Sequence, residues 1–133
     1  MTEILYEIIA LLKADGSLGV KSESILTGAV DLVQESQASL MYPYILLSVV
    51  SESQRSNPLN TRDTHVQVDI WSRTSQLEVQ SIYERVVADL KYLTENNGSA
   101  HIFWSRIEGA VDHFESDRRI WHRAVTVAFW SVK

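Results

Sequence analysis

Thr64-His65-Val66-Gln67-Val68-Asp69-Ile70-Trp71-Ser72-Arg73-Thr74-Ser75-Gln76-Leu77-Glu78 is the stretch on which the fold turns. From Thr64 to Arg73 it alternates. Val66, Val68 and Ile70 fall on one side and His65, Gln67, Asp69 and Trp71 on the other, the period of a strand with one face in a core. At Ser75-Gln76-Leu77-Glu78 the pattern changes to a capping box, in which the Ser75 hydroxyl and the Glu78 carboxylate satisfy amides orphaned at a helix start. Leu77, Ile82, Tyr83, Val86, Val87, Leu90 and Leu93 then share one stripe, which predicts a helix over 76–94 that Asn96-Asn97-Gly98 stops. Arg85 and Asp89 pair at i,i+4 away from that stripe. A one-sided strand that runs into an amphipathic helix calls for a sheet with helices laid on it.

Working outward, Ile4, Leu5, Ile8, Ile9, Leu11 and Leu12 recur at helical spacing and predict a first helix over 2–14, capped by Thr2 and ended by Asp15-Gly16. From Ser17 to Tyr42 the pattern weakens, with Ser24 to Val30 reading as a short strand. Pro43 introduces a β-branched apolar strand from Tyr44 to Ser51, with the proline at the position where a missing N–H costs least. Ser51 to Asp63 reads as a long polar loop containing Arg55, Ser56, Asn57, Pro58, Asn60 and Arg62, longer than most connections in compact domains. Two strands close the chain, about His101 to Phe114 and Arg119 to Val132, joined by a turn at Glu115-Ser116-Asp117-Arg118. On the last strand Trp121, Arg123, Val125, Val127 and Phe129 share one face. Ile120, His122, Ala124, Thr126, Ala128 and Trp130 share the other, so neither face is plainly polar. The expectation is one α+β domain over 1–133: an antiparallel sheet of four or more strands, two amphipathic helices packed on one face, and an opposite face that needs a partner.

The totals narrow the function. With 133 residues, 45% hydrophobic and 22% charged, the chain has the size and composition of one globular domain. The absence of cysteine excludes disulfides, a thiolate nucleophile and thiolate metal sites. The longest apolar run, Tyr42 to Val50, is far short of a membrane span, and no basic segment precedes an apolar run at the start. A cytoplasmic, membrane-free protein is the expectation. A net charge of −5 with scattered Lys and Arg argues against sequence-reading nucleic-acid binding, while an acidic surface suits DNA that slides past without sticking.

No G-x-S-x-G elbow, P-loop or dinucleotide glycine spacing occurs, and Asp69, Asp112 and Glu108 are tied to no common cleft. The densest polar cluster is Asp112, His113, Glu115, Asp117 and His122 around the last hairpin. Asp112, His113 and His122 form the alternative reading, a small metal-dependent hydrolase or nuclease, although no HxxxH or HExxH spacing supports it. A second alternative is a cytoplasmic oligomer that binds another protein. Trp71, Trp104, Trp121 and Trp130 are too many for so small a core, so one or two are expected at subunit contacts, Trp130 foremost.

Several segments carry a family likeness. Tyr42-Pro43-Tyr44-Ile45-Leu46-Leu47, Val66-Gln67-Val68-Asp69-Ile70-Trp71-Ser72 running into the capped helix, and Arg118-Arg119-Ile120-Trp121-His122-Arg123-Ala124-Val125 before a terminal strand resemble the tail-completion or tail-terminator proteins of long-tailed bacteriophages. Similar proteins occur in gene-transfer agents. The likeness spans nearly the whole chain in element order and length; the stretch from Ser17 to Leu40 is longer and less regular than the family's short turn and strand. The resemblance implies a virion protein that forms a ring, usually a hexamer, on the head-proximal end of the tail tube. Such a ring stops tube polymerisation and offers a surface to the head-completion or connector protein, with genomic DNA passing through it. It implies no enzyme activity and no cofactor. Arg55, Asn57, Asn60 and Arg62 in the polar loop, with Trp130, are the residues expected to meet tube, connector or neighbouring copies.

Overall fold

The alternation of the opening stretch sets the middle of the sheet. The computed structural model describes residues 2–20, 24–27, 43–54, 61–91, 102–116 and 119–132. In chain order these form α1 (Thr2–Ala14), β1 (Ile25–Thr27), β2 (Tyr44–Gln54), β3 (Thr61–Ser72), α2 (Gln76–Leu90), β4 (Ile102–Glu115) and β5 (Ile120–Val132). The five strands make one sheet in the order β1-β2-β3-β5-β4. β2, β3, β5 and β4 are antiparallel neighbours, and β1 adds a parallel edge with Ile25 beside Ile45. The architecture is therefore the expected α+β sheet, corrected from wholly to mostly antiparallel.

Cross-strand partners share a face, so the register assigns every side chain. Ile45, Ile70 and Arg123 stand in line, as do Leu47, Val68 and Val125, then Val66 and Val127, then Thr64 and Phe129. These rows, except Arg123, are the floor of the core; Ile45, Leu47, Val66, Val68, Ile70, Val125, Val127 and Phe129 are all fully buried. Ile4, Ile8 and Leu12 of α1 and Val79, Ile82, Val86 and Leu90 of α2 close over it, which puts both helices on this one face. Each such side chain contributes about 1.5–3 kcal/mol by leaving water.

Local signals at α2 hold in part. Ser75 Oγ accepts the Glu78 N–H at 3.1 Å, as a cap should, but the Glu78 carboxylate turns instead to Ser72, whose hydroxyl donates to Glu78 Oε1 at 2.6 Å. Ser72 Oγ in turn accepts the Thr74 N–H at 3.0 Å, so it serves the helix entry from the end of β3. At the other end Lys91 is already extended and its N–H bonds the Val87 carbonyl at 2.8 Å, so the helix stops at Leu90 rather than 94. The expected stop at Asn96-Asn97-Gly98 lies outside the described residues, as does most of the segment from Ser17 to Tyr42.

The polar loop expected from Ser51 to Asp63 is largely strand. Pairing continues through Ser51↔His65, Glu52↔Thr64, Ser53↔Asp63 and Gln54↔Arg62, leaving only 55–60 between the strands. A bulge between Val49 and Ser51 explains why the pattern hid this. The extra residue, Val50, reverses the facing of the rest of the strand, so Glu52 lies beside Arg62, at 3.5 Å, instead of opposing Asp63. Paired backbone and an ion pair sustain a strand there without any apolar alternation.

Candidate interaction surface

The face of the sheet turned away from the helices is built from the other half of each strand. Its most ordered feature is a row of rings that crosses four strands: Tyr44 of β2, Trp71 of β3, His122 of β5 and His113 of β4, each the register partner of the next. Trp71 lies flat on His122 with centroids 3.7 Å apart and planes within 3°, Tyr44 stacks on Trp71 at 5.7 Å, and His113 on His122 at 5.6 Å. His122 Nε2 is hydrogen-bonded to Asp69 Oδ1 at 2.6 Å, and Gln67 Nε2 donates to both oxygens of the same carboxylate at 2.9 and 3.0 Å. Asp69 is buried beneath this network.

A second aromatic pair marks the opposite end of the face. Trp104 of β4 stacks on Trp130 of β5 with centroids 3.9 Å apart, and the Arg106 guanidinium sits 5.7 Å from the Trp104 ring. Both indoles are half-buried, so they offer area to a partner while bracing one another. Beside them, at the β4 edge of the sheet, Tyr83, Val87, Lys91, Trp104, Arg106 and Ile107 line a cleft of about 470 Å³. A smaller cleft, about 330 Å³, opens at the other end of β4 between Gln76 and Val79 of α2 and Asp112, His113, Phe114, Trp121 and His122. Val111 and Phe114, 58% and 51% exposed, lie on this same outer strand.

The residues expected to act divide clearly. Asp112, His113 and His122 border one cleft, and the two imidazoles stack, but the carboxylate does not converge with them. Asp112 faces the helix side, where Arg123 Nε and Nη2 donate to its two oxygens at 2.6 and 3.1 Å, whereas His113 and His122 face the other way. Adjacent residues of a strand point to opposite faces, which removes the geometry on which the hydrolase reading depended. Arg123 also donates to Gln80 Oε1 and lies 4.7 Å from the Tyr83 ring, so a guanidinium buried under α2 is fully engaged. Its hydrogen bonds, ahead of its charge, hold the Asp112 carboxyl below the ordinary carboxylate range. Among the described residues no group of three His, Asp or Glu side chains is arranged to hold a metal ion.

Of the expected contact residues, Trp130 is on the outer face and Arg62 is half-buried against Glu52, while Arg55, Asn57 and Asn60 lie outside the described residues. Sequence reading named Trp104 among the tryptophans but did not single out its pairing with Trp130 and Arg106, nor the ring row. The first depends on the register of the last hairpin, which irregularities at Ile102/Trp104 and Ile107/Gly109 shift; the ring row depends on β3 lying beside β5, a pairing across some 50 residues of chain that no local pattern reports.

Comparison with known proteins now has a fold to refer to. No curated protein matches the chain. A solved structure titled "Virion of native gene transfer agent (GTA) particle" contains a chain that superposes with a TM-score of 0.69 at 11% identity, over 96% of this chain and 93% of that one. At that identity the likeness is one of fold. The profile of the family described as "Tail completion protein gp17" matches residues 7–131, from the second turn of α1 to the end of β5. Nearly the whole chain is covered, and the protein belongs to the tail completion protein gp17 family.

Proposed function

We propose that this chain, a structural protein of the phage tail by its family, closes the head-proximal end of the tail tube as a ring of identical copies, most simply a hexamer. The ring stops tube polymerisation and presents the surface on which the head-completion or connector protein docks. The single observation that carries the reading is the family match over residues 7–131. The geometry supports it by giving the protomer two unlike sides: one sealed by helices, and one bearing half-buried aromatic rings of the kind that anchor subunit contacts. Heterologous contacts between unlike patches close into rings when the rotation allows.

In this role the protein catalyses nothing and requires no cofactor. It is assembled in the host cytoplasm and resides in the virion at the head-tail junction, where genomic DNA passes its acidic surface without sequence-specific binding. We assign the contacts with tube, connector or neighbouring copies to Arg55, Asn57 and Asn60 between β2 and β3, to Arg62 at the start of β3 and to Trp130 beside Trp104. Light scattering of the chain, alone and with tail-tube protein, tests the reading. A mass of several copies in either condition is expected; a strict monomer in both would sink it.

A further inference from the structure

β4 ends the sheet, with β5 on one side and no strand among the described residues on the other. Its 14 residues include neither Pro nor Lys, the residues that commonly blunt an edge. From Glu108 to Ser116 every residue is exposed, and the helix side of that stretch is bare because α2 packs chiefly on β3 and β5. Two large apolar side chains stand there on opposite faces, Val111 outward and Phe114 on the helix side. An edge of this kind is a template for another strand: main-chain hydrogen bonds supply the attachment, and side-chain agreement selects the partner.

The side chains of β4 agree with those of a second β4. Rotation about a two-fold axis that passes beside Val111, at right angles to the sheet, sets the two strands antiparallel with the same face outward. Val111 then meets Val111, Ala110 meets Asp112, and Gly109 meets His113. Glu108, which the ladder with β5 passes over, is passed over again. Beyond it Ile107 meets Phe114 on the helix side and Arg106 meets Glu115 on the outer side, each pair occurring twice by symmetry. In a single copy Arg106 is bonded to Glu108 at 3.2 Å, an exposed pair that is readily exchanged. Ile107 also lines the cleft of about 470 Å³, so the Phe114 ring of the second copy is carried to its mouth. An axis seated one place on, at Asp112, would instead set two carboxylates face to face.

We propose that a second copy of this chain docks on the outer edge of β4, antiparallel about a two-fold axis at Val111, so that one sheet runs through both copies. The contact is isologous and is not one that closes a ring, so the proposal stands apart from that reading. It shields this edge in the free chain.

Sedimentation velocity of the whole chain over a range of concentrations tests the pairing, and a reversible dimer is expected. Arg106→Glu alone or Glu115→Arg alone opposes like charges in both symmetric pairs and should raise the dimer Kd at least about tenfold. An equal mixture of the two variants, in which every such pair is again opposite in sign, should associate as the unmodified chain does. The register has its own readout. The chain holds no cysteine, so Val111→Cys should form a disulfide between copies on oxidation, whereas Leu77→Cys, 80% exposed on α2, should form it far more slowly. A mixture that associates no better than either variant, or equal cross-linking at both positions, overturns the proposal. A chain that stays monomeric alone yet assembles on tail-tube protein would also overturn it, while leaving the ring reading in place.

Discussion

Phe129 and Trp130 are neighbours on β5, yet they belong to different kinds of surface. Phe129 faces the helices, is fully buried and packs in the aliphatic cluster. Trp130 faces away, is half-buried and packs on the indole of Trp104. The same contrast runs the length of the sheet. The helix side is filled by Ile, Leu, Val and Phe that interdigitate from the sheet and the two helices, and at its margin the charge of Arg123 is paired with Asp112. The outer side is laid with flat rings and polar bridges, each braced sideways by its strand neighbours rather than from above. Packing from above stores stability in the monomer, whereas sideways bracing keeps a surface ordered and still available to another molecule.

The strongest way to break this contrast is Phe129→Ala, which leaves a cavity beneath the helices where a fully buried ring stood. A loss of about 3–5 kcal/mol in urea unfolding is expected. Arg123→Met comes next. It removes charge-assisted hydrogen bonds to Asp112 and to Gln80, at a cost of about 2 kcal/mol near neutral pH. Since Arg123 lowers the Asp112 carboxyl, that part of the stability is present above the ordinary value of 3.8 and is lost as pH falls through the lowered one. The gap between the variant and the parent should therefore shrink in acid, and a gap that holds constant to low pH would show the ion pair to be irrelevant.

Trp130→Ala sharpens the comparison from the other side. Loss of one stacked indole should cost only about 1 kcal/mol in the monomer, yet assembly measured by light scattering should fall far more than that. If unfolding suffers as much as in Phe129→Ala, the two faces are not different in kind. The smallest effect is expected from Ser75→Ala, about 1 kcal/mol from a lost cap, with assembly unchanged because Ser75 lies at the helix entry.

Sequence reading reached as far as local periodicity reaches. The alternation of Val66, Val68 and Ile70 and the two apolar helical stripes were enough to place both helices on one side of a sheet, because those patterns repeat within a few residues. Polar strand was missed at Glu52 to Gln54 and at Thr61 to Asp63, where cross-strand pairing rather than burial sustains the structure. The site fared similarly. Trp130 could be picked out as a surplus tryptophan, but its pairing with Trp104 follows from the shifted register of the last hairpin, and the row from Tyr44 to His113 emerges only when β3 and β5 are set side by side. Asp15, after α1, and Arg85, on α2, pair across 70 residues of chain, and nothing local announces their meeting.

A single residue of β4 that the ladder passes over decides which side chains meet around the last hairpin. Between Ile107↔Val127 and Gly109↔Thr126 the strand advances two places while its partner advances one, so Glu108 is absorbed without a counterpart. Counted on from Ile107 without that pause, the ladder would set Val111 against Arg123 and Asp112 against His122, on the side where Asp69 already waits. Arg123 would be stranded without its carboxylate, and two acids and an imidazole would be gathered into the beginnings of a cation site. The pause keeps Asp112 and the imidazoles on opposite sides of one strand, the acid with Arg123 and the rings with one another.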